Sequence, residues 1–562
     1  MKLFDFFNKK KRSSGHEIAP DEIFLDSQNL PNFDVHQFEG RIEKPISKNI
    51  IIYLGIFFLL TGIIFASRIG VLQIEKGKAF KLQSENNRLH HTPLFSERGI
   101  IYDKNEIELA WNSPGEDVFP NRSYVDEPGL SNLLGYIGYP ARDKKGVYYQ
   151  TEFTGKDGLE YYYNKELNGD NGLKITETDA LMNIRSESVV KPPVDGKSLN
   201  LTIDSAVQSK LYEFMESLAA EKGFSGGAGV IMDVNSGEIL ALASFPEYSS
   251  TILSEGDDRS AIRRFQNDYR KPFLNRAVSG LYTPGSIVKP FIAIAALNEK
   301  IISPEKKILS TGSISIQNPY FPDLKSVFKD WRPQGWVNIK DALAISSNVY
   351  FYEVGGGFKD QKGLGISKIE KYVNMFGLGE LTGIDLPGEV KGIIPNPKWK
   401  AENFNGEAWH LGDTYHTAIG QYGFSITPLQ MVRGIAAIAN YGKLVTPHVV
   451  KTDSVKYKDI NGISKVNFDI VKSGMRQAVT DGTAKGLNIP QVQIAAKTGT
   501  AEVGISKKRV NSWILGFFPY ENPRFAFTVV MEKGPRENTI GGLYVMRQLL
   551  EWMSVNTPEY LR

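Results

Sequence analysis

One stretch near the start of the chain restricts the fold more than any other. From Asn49 to Ser67 the sequence runs for 19 residues without a charged side chain, between Lys48 and Arg68. A helix of this length spans about 28 Å, close to the ~30 Å hydrocarbon core of a bilayer. The stretch therefore predicts a membrane anchor. A buried helix and a cleaved signal peptide are alternatives, but the length, the late start and the lack of an A-x-A-like site disfavour the latter.

The residues before this helix, 1–48, are polar and show little periodicity, so we expect a short disordered tail. The tail carries a basic cluster at Lys9–Arg12. Basic residues close to the helix do not decide its orientation, because three precede it and four follow it. They are Arg41, Lys44 and Lys48 before it, and Arg68, Lys76, Lys78 and Lys81 after it.

Composition excludes several classes of function. At 562 residues, with 41% hydrophobic and 23% charged residues, the chain is globular and long enough for two or three folded units. Its net charge of +3 gives no reason to expect a nucleic-acid partner. The chain has no cysteine and therefore no disulfide, thiolate metal site or cysteine nucleophile. Its seven histidines show no H-E-x-x-H spacing, and we expect no metal and no other cofactor.

The rest of the chain divides into two regions. Residues 68–190, which we call the pedestal, contain short β-like runs such as Asn132–Tyr139 and no catalytic set, and predict a scaffold that holds the later domain off the membrane. In residues 191–562 strands occur at both ends with helices between them. This order implies an antiparallel sheet completed by N- and C-terminal pieces, an α+β fold or mixed sandwich flanked by helices.

The expected elements of the second region follow from hydrophobic periodicity and turn signals. The strands are Leu199–Ile203, Ala228–Asp233, Glu238–Ser244, Gln493–Thr500, Asn511–Phe518 and Arg524–Glu532. The helices are Asp204–Glu221, segments around 337–380 and 412–441, and Ile540–Asn556.

A serine stands at the first exposed step of a turn that leads into an apolar helix. Pro284 and Gly285 make the turn, and Pro290 is tolerated because N–H groups of the first helical turn have no intrahelical acceptor. Lys289 follows Ser286 at i+3, which puts the hydroxyl and the amine on one helix face. A deprotonated Lys289 could take the proton of Ser286, and the helix N-terminus would stabilise an oxyanion.

Ser-x-x-Lys is a weak pattern by itself. It also occurs at Ser188, Ser303 and Ser326. Two further matches distinguish Ser286: Ser346-Ser347-Asn348 fits S-x-N, and Lys497-Thr498-Gly499 fits K-T-G. The three motifs follow the chain order of serine acyl-transfer enzymes that recognise penicillin.

Attack on an amide carbonyl needs a base and a proton path to the leaving group. Lys289 acts as a base only when neutral, so its pKa must fall by about 3 from a reference of about 10.4. Burial and the charge of Lys497 would lower that pKa. We expect Ser346 to relay a proton and Asn348 to bond the substrate amide.

The K-T-G segment predicts a strand edge that grips the substrate. Gly499 would let the substrate backbone approach closely, while Lys497 and Thr498 bind a carboxylate. The backbone N–H groups of Ser286 and Thr500 would form the oxyanion hole. A competing match at Lys472-Ser-Gly474 lies in a helical pattern without a matching strand, and we prefer Lys497.

These residues resemble those of the class B penicillin-binding proteins, the membrane-anchored D,D-transpeptidases of bacterial cell-wall synthesis. The resemblance covers residues 90–545 and is greatest for the elongation-specific branch. Besides the three motifs it rests on Arg98-Gly99 with Asp103, Gly155–Glu160 with Tyr163, Leu201–Asp204, Asp233 with Ser236–Glu238, Ser512–Pro519, Thr382–Gly388, Pro397–Trp399, Gly412–Thr414, Ala418–Gln421 and Thr427–Gln430. Tyr422 departs from the pattern, since a glycine commonly follows Gln421.

The resemblance implies that Ser286 attacks the penultimate D-alanine carbonyl of a D-Ala-D-Ala stem peptide and releases terminal D-alanine. An amine of a neighbouring peptidoglycan stem would then resolve the ester into a cross-link. β-Lactams would acylate the same serine and remain bound.

The resemblance also implies a single-pass protein of the inner (plasma) membrane, with residues 1–48 in the cytoplasm and the catalytic domain outside. Its expected partners are a polytopic glycan polymerase of the elongation machinery, in contact with the anchor and the pedestal, and the scaffold proteins of that machinery.

Three other functions share part of this pattern. A serine β-lactamase would be shorter and soluble, and the pedestal would have no role in it. A membrane β-lactam sensor would need a larger cytoplasmic module than residues 1–48. The division-specific class B enzyme is the main alternative, and the shape of depleted cells separates it from the elongation enzyme.

Overall fold

The computed structural model describes residues 47–115, 118–144, 148–179, 183–318, 320–504, 507–538 and 540–562. The expected tail, apart from its last two residues, lies outside these ranges. Internal contacts divide the chain into two units, Met1–Leu89 and His90–Arg562. The part of the pedestal from residue 90 onward thus belongs to the same compact unit as residues 191–562.

The first unit contains the expected membrane helix. Helix α1 (Lys48–Gly70) has 23 residues and begins after Ser47, whose side chain accepts a hydrogen bond from Ile50 N. A π-helical turn (Val71–Glu75) and helix α2 (Gly77–Arg88) follow. Within the described part of the chain, Lys48–Glu75 is the one helical stretch long and apolar enough to cross a membrane. Because none of the side chains of α1 is buried by protein, the helix fits a single-pass anchor surrounded by lipid.

The pedestal is β-rich, as predicted. Its strands are β1 (Leu89–Leu94), β2 (Ile101–Tyr102), β3 (Glu108–Ser113), β4 (Asn121–Tyr124), β5 (Ile137–Gly138), β6 (Ala141–Arg142), β7 (Tyr148–Gln150), β8 (Thr154–Gly155), β9 (Gly172–Thr178) and β10 (Ile184–Lys191). Strand β11 (Leu199–Asn200) follows just after the pedestal. Three short helices lie between the pedestal strands: α3 (Ser131–Leu134), α4 (Gly158–Tyr162) and α5 (Asn164–Asn168). Two sheets have the orders β1-β9-β10 and β11-β2-β3-β4.

Two details differ from the sequence predictions. The run Asn132–Tyr139 begins as helix α3 instead of a strand, because a short apolar run does not distinguish a buried strand from a buried helical turn. The strand expected at Leu199–Ile203 ends at Asn200, and it pairs in parallel with β2 of the pedestal.

A buried ion cluster holds the pedestal together. Glu160 is fully buried and accepts hydrogen bonds from Arg98 Nε at 2.6 Å and from Arg122 Nε at 2.8 Å. Burial acts to raise the pKa of Glu160, but the positive charges of Arg122 and Arg98 outweigh it and hold that pKa below its ordinary value. The carboxylate therefore stays ionised and ties together three separate segments.

The remainder of the second unit is the mixed α/β region expected from the sequence. Its strands are β12 (Gly226–Asp233), β13 (Ile239–Phe245), β14 (Ile308–Ser310), β15 (Ser313–Gln317), β16 (Lys325–Lys329), β17 (Gly335–Val337), β18 (Lys443–Val445), β19 (Tyr457–Asp459), β20 (Ala495–Val503), β21 (Arg509–Phe518) and β22 (Phe525–Pro535). Its helices are α6 (Ser205–Lys222), α7 (Ser250–Glu255), α8 (Arg259–Asn267), α9 (Arg276–Ser279), α10 (Lys289–Asn298), α11 (Ile339–Ala344), α12 (Asn348–Gly356), α13 (Ile366–Met375), α14 (Pro397–Asn403), α15 (Leu411–Ala418), α16 (Pro428–Ala439), α17 (Lys465–Thr480) and α18 (Gly542–Asn556).

The main sheet has five strands in the order β13-β12-β22-β21-β20, and all neighbouring pairs are antiparallel. This confirms the expected α+β fold, in which N- and C-terminal strands complete one sheet. Because side chains alternate along a strand, Val530 enters the core formed with α10 and α16, while Val529 enters the core formed with α6 and α18. Helices thus cover both faces, and β20 forms one edge.

Candidate active site

The turn that carries Ser286 is a short 3₁₀ helix, Gly285–Val288, which leads directly into α10. The sequence placed the start of the α-helix near Ser286, but regular α geometry begins at Lys289, with Pro290 in its first turn as expected. A 3₁₀ helix has three residues per turn, so Ser286 and Lys289 lie above one another on the same side. Ser286 and Lys289 therefore stay on one side of a tighter turn than predicted, and the contacts of the Lys289 amine are with Ser346 and Asn348.

Two glycines allow this turn to pack directly on β20. Gly285 has a φ of +60°, and a Cβ added there would lie 2.8 Å from Thr500 O. A Cβ added to Gly499 would lie 2.8 Å from Ile287 Cγ2. Such contacts are too short for any side chain, so glycine at both positions brings the Ser286 turn against the edge strand.

The Ser346–Asn348 segment is a tight loop between two helices. Ser346 follows the end of α11 and has a φ of +60°, a left-handed conformation that is uncommon for serine. Asn348 is the first residue of α12. Asp330 Oδ2 anchors the loop, because it accepts hydrogen bonds from Ser347 Oγ and from Val349 N, both at 2.9 Å.

Lys289 is fully buried behind this loop. Its Nζ donates to Ser346 O and to Asn348 Oδ1, both at 2.8 Å, and contacts Ser346 Oγ at 3.3 Å. Burial lowers the pKa of Lys289 to about 7, although the negative charge of Asp330 acts in the opposite direction. A substantial fraction of this amine is therefore neutral near neutral pH.

Lys497 approaches the same hydroxyl from β20. Its Nζ donates to Ser346 Oγ at 2.8 Å and to Thr498 O at 2.9 Å. Burial first, and then the charge of Lys289, lower the pKa of Lys497 well below its ordinary value. Its side chain is fully buried and is not part of the cleft wall, so Lys497 contacts Ser346 instead of facing an incoming carboxylate.

A cleft of about 720 Å³ opens beside these residues. Its walls include Ser286, Ser346, Asn348, Thr498, Gly499 and Thr500, together with Trp331, Thr483, Gly486, Ser512, Trp513, Ile540, Gly541, Leu543, Tyr544 and Arg547. Six of the eight residues singled out from the sequence thus line one cavity. The other two, Lys289 and Lys497, lie behind it in contact with Ser346.

Several residues of this site carried no signal in the sequence. Asp330 anchors the S-x-N loop, Trp331 lines the cleft, and Thr483 Oγ1 lies 2.7 Å from Thr498 Oγ1. Arg547, on α18, also lines the cleft. None of these residues belongs to a spaced motif, because they reach the site from three separate parts of the chain.

The competing candidates lie elsewhere. Lys472 is on α17, where its Nζ donates to Ala439 O at 3.2 Å and lies 4.1 Å from the centre of the Tyr441 ring. Ser188 is on the exposed strand β10, and Ser326 is on β16. Among the described residues, no group of three or more His, Asp or Glu side chains is arranged to hold a metal ion.

An antiparallel sheet with a serine-lysine turn against its edge strand defines a serine acyl-transfer enzyme. The family model described as "Penicillin binding protein transpeptidase domain" matches residues 227–547, and the model "Penicillin-binding Protein dimerisation domain" matches residues 117–201. The chain therefore belongs to the penicillin-binding protein transpeptidase family.

Relatives from several bacteria extend this similarity over almost the whole chain. "Peptidoglycan D,D-transpeptidase MrdA" of Acinetobacter baumannii is 29% identical over 90% of this chain and 87% of its own length. The protein of the same name from Haemophilus influenzae is 28% identical over 91% of this chain and 93% of its own length.

Solved structures of penicillin-binding proteins are similar to this chain over most of its length. The complex between penicillin-binding protein PBP2 and MreC from Helicobacter pylori gives a TM-score of 0.70 at 27% identity, covering 84% of this chain and 99% of the other. Pseudomonas aeruginosa PBP2 in complex with WCK 5153 gives a TM-score of 0.67 at 28% identity, covering 83% of this chain and 97% of the other.

Proposed function

We propose that this protein is a peptidoglycan D,D-transpeptidase that cross-links stem peptides during cell-wall elongation through an acyl-enzyme at Ser286, and that β-lactams block it by acylating the same serine. The observation that carries the proposal is the pair of buried lysines, Lys289 and Lys497, on one hydroxyl beside the cleft that Ser286 lines. The family membership and the names of the relatives support the same activity.

Acylation begins when neutral Lys289 accepts the proton of Ser286 while the Ser286 oxygen forms a bond to the substrate carbonyl carbon. The oxyanion is held by the backbone N–H groups of Ser286 and Thr500. As the C–N bond breaks, Ser346 Oγ passes a proton to the leaving amine of D-alanine. Its contacts with both lysines, at 3.3 Å and 2.8 Å, support this relay.

Substrate binding uses the free edge of the sheet. A stem peptide in extended form adds as a further strand beside β20, whose outer side is paired with no other strand of the described residues in the main sheet. Asn348 accepts from Lys289 Nζ through its carbonyl oxygen, so its amide NH₂ remains to donate to a substrate carbonyl. The hydroxyls of Thr498 and Thr500 bind polar groups near the peptide terminus.

Deacylation repeats the same steps in reverse. The amine of a second stem peptide attacks the ester carbonyl and transfers a proton through the same groups, the C–O bond to Ser286 breaks, and the hydroxyl regains its proton from Lys289. A β-lactam forms the same ester, but its leaving amine stays attached through the opened ring.

We assign four segments to this function: a cytoplasmic tail (1–48), a membrane helix (49–67), the pedestal (68–190) and a transpeptidase domain (191–562), with the transpeptidase domain outside the inner membrane. The partners are a polytopic glycan polymerase and a scaffold protein of the elongation machinery. The structure of H. pylori PBP2 with MreC supports a scaffold partner by similarity.

The proposal is tested by depletion of the protein from rod-shaped cells of its host, together with labelling by a fluorescent penicillin. Rounded cells would support a role in elongation. Filamentous cells would assign the protein to division. Absence of labelling would refute the proposed transpeptidase activity.

A further inference from the structure

The cleft has an unusual charge distribution for a site that binds an anionic peptide. None of its described lining residues is acidic, and Arg547 is the one lining residue with a positively charged side chain. Lys289 and Lys497 are fully buried behind the wall, and burial lowers the pKa of both amines. A carboxylate that enters the cleft therefore meets one positively charged side chain in the described lining, the guanidinium of Arg547.

Arg547 is held in place by two contacts on its own side of the cleft. Its Nε donates to Glu551 Oε1 at 2.9 Å, and its Nη1 donates to Gly486 O at 3.0 Å. A guanidinium has five N–H donors, so three others remain for a ligand. The side chain is 43% exposed, which leaves it accessible from solvent.

The segment 483–487 contacts both Arg547 and the K-T-G strand. Gly486, whose carbonyl accepts from Arg547, lies in the 3₁₀ turn Lys485–Leu487, three residues after Thr483. Thr483 Oγ1 lies 2.7 Å from Thr498 Oγ1. Two hydroxyls and one guanidinium thus line the same cleft, a donor set suited to a carboxylate.

We infer that Arg547 is a specificity-determining residue, which supplies the positive charge that recognises the C-terminal carboxylate of the donor stem peptide together with the hydroxyls of Thr498 and Thr483. This inference rests on the proposed function and names the group on the substrate that the site selects. Lys497 then acts on Ser346, while Arg547, Thr498 and Thr483 in the cleft lining select the carboxylate.

The test measures second-order acylation rate constants of the full-length protein in detergent with two matched pairs of thioester donors. In the first pair, the leaving group ends in a carboxylate or in the corresponding carboxamide. In the second pair, the leaving group keeps its carboxylate, and the carboxylate on the acyl side is either free or amidated. The two pairs distinguish a terminal carboxylate from one on a stem side chain.

We expect Arg547→Gln to lower the rate constant for the donor with a terminal carboxylate by about 10-fold, and to change that for its carboxamide by less than about 2-fold. Arg547→Lys should restore part of the difference, because it keeps the charge but loses the planar fork. An equal loss with both donors of the first pair would overturn the inference, since it would indicate a structural role. An effect confined to the second pair would overturn the assignment to the terminal carboxylate.

One further variant serves as a control, and another provides an independent test. Arg476 also donates to a backbone carbonyl, Ile494 O at 3.0 Å, but does not line the cleft, so Arg476→Gln should leave the acid-to-amide ratio unchanged. Glu551→Gln removes the acidic partner of Arg547 and should raise that ratio by about 2-fold. A lower ratio in Glu551→Gln would count against the inference, and this variant tests it even if Arg547→Gln does not fold.

The outcomes also separate this inference from the proposed function. A wild-type protein that neither thioester nor penicillin acylates would refute the proposed function. A wild-type protein that is acylated and prefers the terminal carboxylate, with the same preference in Arg547→Gln, would refute the role of Arg547 alone.

Discussion

Lys497 Nζ donates a 2.8 Å hydrogen bond to Ser346 Oγ, and this contact joins the edge strand of the main sheet to the loop between α11 and α12. Lys289 reaches the same serine from α10. Both amines are fully buried, and the charge of Lys289 adds to burial in lowering the pKa of Lys497. Ser346 Oγ thus connects the two lysines.

Ser286→Ala should abolish covalent labelling by a fluorescent penicillin while the thermal unfolding midpoint stays close to that of the wild type. The change removes only the nucleophilic oxygen from a half-buried cleft position. Gel fluorescence after incubation with the label measures the effect. Labelling that persists in the variant would move the nucleophile elsewhere, and Ser303 and Ser326 would be tested next.

The acylation rate should rise with pH between about 6 and 8. Lys289 must be neutral to accept a proton, and burial lowers its pKa to about 7, so the active form increases as the pH rises through that value. Rate constants for a β-lactam measured across this range should follow a single rising titration before they level off. A rate that falls over the same range would contradict a base with this pKa.

Asp330→Asn should move the midpoint of that pH profile to a lower value. The negative charge of Asp330 raises the pKa of Lys289, so its removal lets burial act unopposed. The change should also weaken the anchor of the S-x-N loop, at a cost of about 1–3 kcal/mol in unfolding free energy. An unchanged or higher midpoint would show that the two side chains are not coupled.

Lys497→Ala should lower the acylation rate by about 100-fold or more, because Ser346 loses its 2.8 Å partner in the proton path. Lys472→Ala is the matched control, since Lys472 is also buried and belongs to the other K-x-G match, but contacts Ala439 O on α16. We expect that control to keep its rate within about 3-fold of the wild type. Similar losses in the two variants would argue for a general effect on folding.

Glu160→Ala should destabilise the pedestal by about 3–5 kcal/mol, since Arg98 and Arg122 would be left as buried charges without a partner. The exposed pair of Lys174 and Glu187 provides the control, and Glu187→Gln should change stability by at most about 1 kcal/mol. Urea unfolding followed by circular dichroism compares the two variants. Equal small effects would mean that the cluster contributes no more than a surface pair.

The pedestal should also regulate a partner. Strand β10 is exposed along its whole length and presents Val189 and Val190 to solvent, and β9 is its one neighbour among the strands that the structure describes. Val189→Glu with Val190→Glu should alter glycan polymerisation by the partner polymerase, while penicillin labelling at Ser286 stays unchanged. If a panel of such changes affects neither polymerisation nor complex formation, the pedestal is only a spacer.

Local patterns in the sequence determined most of the helices, strands and candidate site residues. The uncharged run from Asn49, the spacing of Lys289 after Ser286, and the strand patterns on either side of Lys497 all depend on neighbours within a few residues, and such neighbours set helix, turn and strand. The same patterns predicted a helix from Asp204; α6 begins one residue later, and the Asp204 side chain accepts from Val207 N at 3.1 Å. The run Asn132–Tyr139 was ambiguous for the same reason, because only distant contacts distinguish a buried turn of helix from a strand.

Only the tertiary structure decided how those parts act together. The depressed pKa values of Lys289 and Lys497 come from burial by segments far apart in the chain, and burial is a property of the packed protein. Asp330 and Arg547 carried no motif, because a single anchoring carboxylate or guanidinium has no spacing to recognise. The sequence thus specified which chemical groups the protein possesses, while long-range packing determined which of them face the cleft and which lie behind it.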